Sequence, residues 1–274
     1  MQMKLVNYKN LSESQGNLML AWGPSGCGKT STILQSAQDP IVLITAEKRK
    51  IQTTIAAINR PDLRLKVGIY NGFMDCIDTI FDVQRFEGAK TIFLDSLTHL
   101  MAAQLSYEIL GENYDSKSDE EKDRIIKELT AVVKMTPESY GALADNMLRL
   151  MNGLQNLTMA GYDVVCSARS EERTRYNKTV AYGPALSGQK FTFAMPGYFD
   201  FICMLQSPEH NDEETAPSHD ASMIDLWKWY APLASFDSND AYLAKYTGPV
   251  GSKGIVKRKF NVRKVFEEAN GVFK

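Results

Sequence analysis

Gly23-Pro24-Ser25-Gly26-Cys27-Gly28-Lys29-Thr30 reads G-x-x-x-x-G-K-T. The chemistry this spacing serves is capture of a phosphate chain. Its glycines let the backbone curl until successive N–H groups point inward at phosphate oxygens. Lys29 brings a point charge to β- and γ-phosphates, and the Thr30 hydroxyl is placed to ligate Mg²⁺. Ser31 carries the loop into a helix start, where unsatisfied N–H donors and the positive dipole end add to an anion site. Every residue from Gly23 to Ser31 is therefore a candidate nucleotide contact.

Two carboxylates complete a hydrolytic set. Asp95 ends the apolar run Thr91-Ile92-Phe93-Leu94, and a carboxylate at such a strand end holds Mg²⁺ directly or through water. Ser96 beside it is placed to orient a water or the γ-phosphate. Glu47 follows the apolar run Ile41-Val42-Leu43-Ile44-Thr45. In a parallel sheet the carboxyl ends of the strands gather at one edge with the phosphate loop, so Glu47 can polarise water for attack on the γ-phosphate. A solvated glutamate beside Lys48, Arg49 and Lys50 is the alternative.

These groups need a scaffold, and the chain supplies one. Asn17–Trp22 reads as a buried strand before the loop, and Ser31–Ala37 as the helix after it. The continuous apolar run at 41–45 is the mark of a strand covered on both faces, 91–95 reads as another buried strand, and 65–70, 163–168 and 199–205 read as further strands. Helical spacing between them, at 51–59 and 73–86, predicts alternating strand and helix, hence a mostly parallel sheet with helices on both faces. A capping box at Ser118-x-x-Glu121 opens one helix, and Thr136-Pro137 opens another with an apolar stripe of Leu143, Met147, Leu150, Met151, Leu154 and Leu157. Residues 171–190 read as a polar connection of unusual length. Residues 207–222 read as an acidic surface loop, and 223–230 and 241–246 as late strands. Residues 1–250 form the expected ATPase core, with a helical insertion at 104–140. A basic tail follows at 251–274, within which 262–269 is a solvated helix or a binding element.

Composition narrows the function further. The chain has 274 residues, 44% hydrophobic and 23% charged, with formal net charge −2. It is no general polyanion binder, so any nucleic-acid site is a local patch. Its four cysteines lack C-x-x-C spacing, which fits reduced thiols in the cytoplasm (a host's, if the protein is viral) and argues against a metal site. No signal peptide or membrane-length apolar run is present. His99, just past Asp95, reads as a packing residue.

Ile44-Thr45-Ala46-Glu47 after the phosphate loop, Phe93-Leu94-Asp95-Ser96-Leu97 two strands later, and Gly183-Pro184-Ala185-Leu186-x-Gly188 together resemble the RecA-like recombinase core. The likeness is closest to small phage-type single-strand annealing ATPases and extends from about Gly16 to Gly248. It implies an extra strand between the loop strand and the Asp95 strand, a Glu that activates water, and ATP with Mg²⁺ as cofactors. It implies assembly into rings or filaments, and single-stranded DNA and a single-strand-binding protein as partners. The stretches after Asp95-Ser96 and after the fifth strand would face DNA. In the second, Arg173, Arg175, Tyr176 and Lys178 suit phosphate contact and base stacking, although Glu171 and Glu172 offset the charge. Lys245 resembles the late-strand lysine that reaches a neighbour's γ-phosphate; an ordinary surface lysine is the alternative. The sequence departs from the family at the end of the fifth strand, where a polar amide is usual. Ser167-Ala168-Arg169 stands there, with Arg169 or Ser167 as the γ-phosphate sensor.

The expectation is thus a RecA-like, Mg-dependent ATPase that binds single-stranded DNA in recombination, annealing or repair. Its rivals are a helicase, helicase-loader or packaging motor, a nucleotide or small-molecule kinase, and a nucleotide-gated assembly protein.

Overall fold

The computed structural model describes residues 15–45, 51–58, 60–102, 118, 120, 137–175, 179–186, 189–208, 232–236, 244–246 and 258–270. Strand β1 (Leu18–Gly23) is buried at every position. Its side chains alternate between two apolar clusters: Leu18, Leu20 and Trp22 enter one, Met19 and Ala21 the other. That is the period-two signature of a strand covered on both faces. The same division runs through β4 (Thr91–Asp95) and β7 (Phe201–Gln206).

Helices supply the two coverings. On one face α1 (Lys29–Ser36), α2 (Ile51–Ile58) and α6 (Val262–Ala269) contribute Ile33, Leu34, Ile58, Val265 and Phe266. On the other, α3 (Phe73–Phe81), α4 (Pro137–Met159) and α5 (Gln189–Ala194) contribute Ile77, Ile80, the Leu/Met stripe of α4 and Phe191. The stripe expected between Leu143 and Leu157 is buried throughout.

The sheet order is β10-β8-β7-β1-β5-β4-β2-β3, where β2 is Ile41–Thr45, β3 Leu65–Ile69, β5 Asp163–Arg175, β8 Leu233–Ser235 and β10 Arg258–Lys259. Strands β1, β2, β3, β4, β5 and β7 run parallel; on the β7 side, β8 and β9 (Lys245–Tyr246) pair antiparallel with β7, and β10 pairs antiparallel with β8. Strand β5 lies between β1 and β4, where the resemblance places the extra strand. The fold is that of a RecA-like P-loop protein.

The structure differs from the sequence expectation in three places. The long polar connection after the fifth strand is a hairpin: β5 continues to Arg175 and returns as β6 (Thr179–Pro184), paired from Ser170↔Pro184 to Arg175↔Thr179. The arm lacks an apolar run because it extends beyond the central sheet. The expected helix 73–86 breaks at Asp82 and resumes as a 3-10 turn, Val83–Phe86. The helix 262–269 is not solvated all round: Val262, Val265 and Phe266 are buried in the core under α1. The capping box, the acidic loop and the expected strand 223–230 lie wholly or largely outside the described residues.

Candidate nucleotide site

At the carboxyl end of β1 the chain turns out of the sheet at Gly23. A Cβ there would collide with the Leu205 carbonyl of β7, so glycine alone allows this exit beside the neighbouring strand. Gly26 and Gly28 take φ of 82° and 86°, the left-handed region that side chains disfavour. Gly28 is the N-cap of α1 and supplies no side-chain cap. The first N–H groups of a helix have no intrahelical acceptor, and here they lie at the loop.

The Lys29 ammonium lies along the loop, donating to the carbonyls of Gly23 at 2.8 Å and Pro24 at 2.7 Å. Burial pushes its pKa below the ordinary lysine value; Cys27 and Asp95 pull it back up, and Arg169 pushes it down. The Cys27 Sγ sits 3.8 Å from the ammonium. This thiol is buried, and the burial raises its pKa against the pull of Lys29, which favours the neutral thiol over the reactive thiolate.

Sheet register brings Asp95 to the same edge. Thr45 at the end of β2 pairs with Asp95 at the end of β4, and Gly23 pairs with Arg169 on β5. The Thr30 Oγ1 donates to Asp95 Oδ2 at 2.7 Å. A hydroxyl and a carboxylate oxygen thus stand together, the hard oxygen donors that Mg²⁺ takes alongside substrate phosphates. Among the described residues no group of three or more His, Cys, Asp or Glu forms a protein-only cage. The Thr30 hydroxyl and the Asp95 carboxylate are a donor set that fits a magnesium ion shared with a phosphate chain.

Ser25, Gly26, Gly28, Lys29, Thr30, Ser31, Thr54, Asp95, Ser96 and Arg169 surround one cavity of about 180 Å³. The Ser96 hydroxyl accepts the His99 N–H at 3.2 Å, capping a short helical stretch over residues 97–102. Thr98 Oγ1 accepts the Arg169 N–H at 3.0 Å and fixes the backbone from which Arg169 enters the cavity. Thr54 was absent from the sequence reading. No motif marks it; the packing of α2 against α1 brings it there.

A family model described as an AAA domain matches residues 15–246. The chain belongs to this AAA-domain family. No curated protein sequence matches it. Among solved structures, the flagellar accessory protein FlaH from Methanocaldococcus jannaschii is similar in shape at 11% identity and a TM-score of 0.43, over 85% of this chain and 83% of that one.

The remaining sequence candidates of this AAA-domain protein do not line this cavity or lie outside the described residues. Glu47 lies outside the described residues, two positions past the end of β2. The backbones of Arg173 and Arg175 belong to the β5–β6 arm, paired with Ala181 and Thr179; Tyr176 and Lys178 lie outside the described residues. Lys245 stands apart from the cavity. It pairs with Ile202, level with Leu20 near the opposite end of the strands. Its ammonium donates to the carbonyls of Phe199 at 2.6 Å and Pro196 at 3.2 Å. Service at a neighbour's nucleotide would require it to release both. Among the described residues no helix is long and apolar enough to cross a membrane.

Proposed function

We propose that the chain is a Mg-dependent ATPase that binds single-stranded DNA and acts, as an oligomer, in recombination, annealing or repair. The observation that supports it best is the convergence on one strand, β5, of a cavity-lining cation and a projecting arm. Arg169 lines the phosphate cavity, and from Ser170 onward the same strand is the arm bearing Arg173 and Arg175.

On this reading the loop's N–H groups and Lys29 hold the β- and γ-phosphates. Thr30 and Asp95 would hold Mg²⁺, which neutralises phosphate charge when bound. Arg169 faces the γ-phosphate as a cation supplied by the same subunit. Glu47 takes the proton of the attacking water. The arm contacts DNA phosphates through its arginines, so binding weakens as salt rises.

The test is steady-state ATP hydrolysis with and without single-stranded DNA, at low and moderate salt, for wild type and Glu47→Gln. The expected result is stimulation by DNA that fades with salt, and a loss of about 100-fold or more in the variant. Hydrolysis indifferent to DNA at every salt overturns the DNA-binding half and favours a motor or assembly role. Hydrolysis that survives Glu47→Gln overturns the assignment of the base.

A further inference from the structure

Ser167 interrupts the apolar run Val164-Val165-Cys166-Ser167-Ala168 in the middle of the sheet, and it is 0% exposed. A hydroxyl so placed needs a partner. Its Oγ donates to Asp95 Oδ1 in a short hydrogen bond. Leu94 pairs with Cys166, which sets Asp95 beside Ser167, and on the other side Ser167 pairs with Ala21 of β1. Strand alternation puts Ser167 on the α1 side of the sheet with Ala21 and Val165. Thr30 reaches Asp95 Oδ2 from that same helix. The two oxygens of one carboxylate, 3% exposed, are thus gripped by hydroxyls from two different elements.

We propose that Ser167 is the positioning residue for the magnesium carboxylate: its hydroxyl fixes the orientation of Asp95 and so sets the affinity of the site for the metal. It does not read the γ-phosphate itself. Ser167 is absent from the cavity wall, whereas Arg169, two residues on, lines it. The two residues divide the work that the sequence left to one sensor. Ser167 acts through Asp95 on the metal, and Arg169 faces the phosphate. Removing the hydroxyl leaves Asp95 Oδ1 short of a buried donor and frees the carboxylate to turn about its Cβ–Cγ bond. Outer partners that hold a metal ligand commonly tune metal affinity in this way.

The inference rests on the MgATP reading of the cavity, and the experiment separates the two. A fluorescent ADP analogue is titrated into wild type, Ser167→Ala and Ser167→Cys, first without divalent metal and then at rising Mg²⁺. Ser167→Ala is expected to bind the metal-free analogue within about two-fold of wild type, while its half-saturating Mg²⁺ rises by about ten-fold. Ser167→Cys keeps the volume with a weaker donor, and shifts in the same direction by less; it also covers the case in which the alanine variant does not fold. An unchanged Mg²⁺ requirement in the folded variants overturns the inference and leaves the MgATP reading intact. Equal weakening of metal-free and metal-bound nucleotide overturns it too, because that is what mere distortion of the loop would do. A wild type that binds no analogue under either condition overturns the MgATP reading, and this inference with it.

Discussion

Arg169 is where the site differs most from a bare phosphate loop. It stands opposite Gly23 across the β1–β5 ladder, and its backbone is pinned by Thr98. Its charge is close enough to depress the Lys29 pKa. On the proposed reading the Arg169 cation acts on charge that develops as the γ-phosphate departs more than on the bound nucleotide. Arg169→Ala is expected to lower the rate of ATP hydrolysis by about 100-fold, with nucleotide affinity changed by less than about three-fold in an equilibrium titration. Arg169→Lys should recover little of the rate, since a flexible ammonium does not reproduce a planar guanidinium. Loss of affinity equal to the loss of rate would mean that Arg169 binds ground-state phosphate only.

At the scale of elements, the start of β1 is tied to both neighbouring strands by carboxylates. Asp163 Oδ1 accepts the backbone N–H and the side-chain Nδ2 of Asn17, both at 2.9 Å, and Asp200 Oδ2 accepts the Leu18 N–H at 2.8 Å. These bonds fix where β1 begins, and so where Gly23 leaves the sheet. Burial raises the Asp163 pKa above its model-compound value of 3.8, against the pull of the Asn17 bonds. A group bound more tightly to its proton in the folded state adds stability below the unfolded pKa, and that stability is lost as pH rises through the folded value. Asp163→Asn keeps an acceptor for Asn17 and does not titrate. The stability of wild type relative to Asp163→Asn, from urea unfolding between pH 4 and 7, should therefore fall with rising pH. A rise would show that the Asn17 bonds outweigh burial.

Across the whole molecule, the family match stops at residue 246, yet the core does not. Val262, Val265 and Phe266 of α6 pack with Phe201, Phe236 and Phe260. The Val262 N–H donates to Ser36 Oγ at 3.0 Å, at the end of α1 remote from the phosphate loop. Phe266→Ala is expected to destabilise the fold by about 3–4 kcal/mol, measured by urea unfolding, without changing nucleotide affinity below the transition. Little loss of stability would show that α6 is dispensable to the core. The basic residues around it mislead a reading by charge, whereas the spacing of Val262, Val265 and Phe266 is that of a helix with one buried face.

The phosphate loop, the alternation of strand and helix, and the strand ending in Asp95 are all legible in the sequence. Each is written in local pattern: glycine spacing, apolar runs and the residue at a strand end. The sequence was silent on Thr54, and it offered Ser167 and Arg169 as equivalent, because position on a strand says nothing of which neighbour lies on each face. It also missed the β5–β6 arm and the two- and three-residue strands β8 and β10. An arm beyond the sheet has no apolar face to advertise, and so short a strand has no period to detect. The tertiary structure decided these matters through register: β5 between β1 and β4 puts Ser167 against Asp95 and Arg169 into the cavity, a consequence of pairing between segments far apart in the chain.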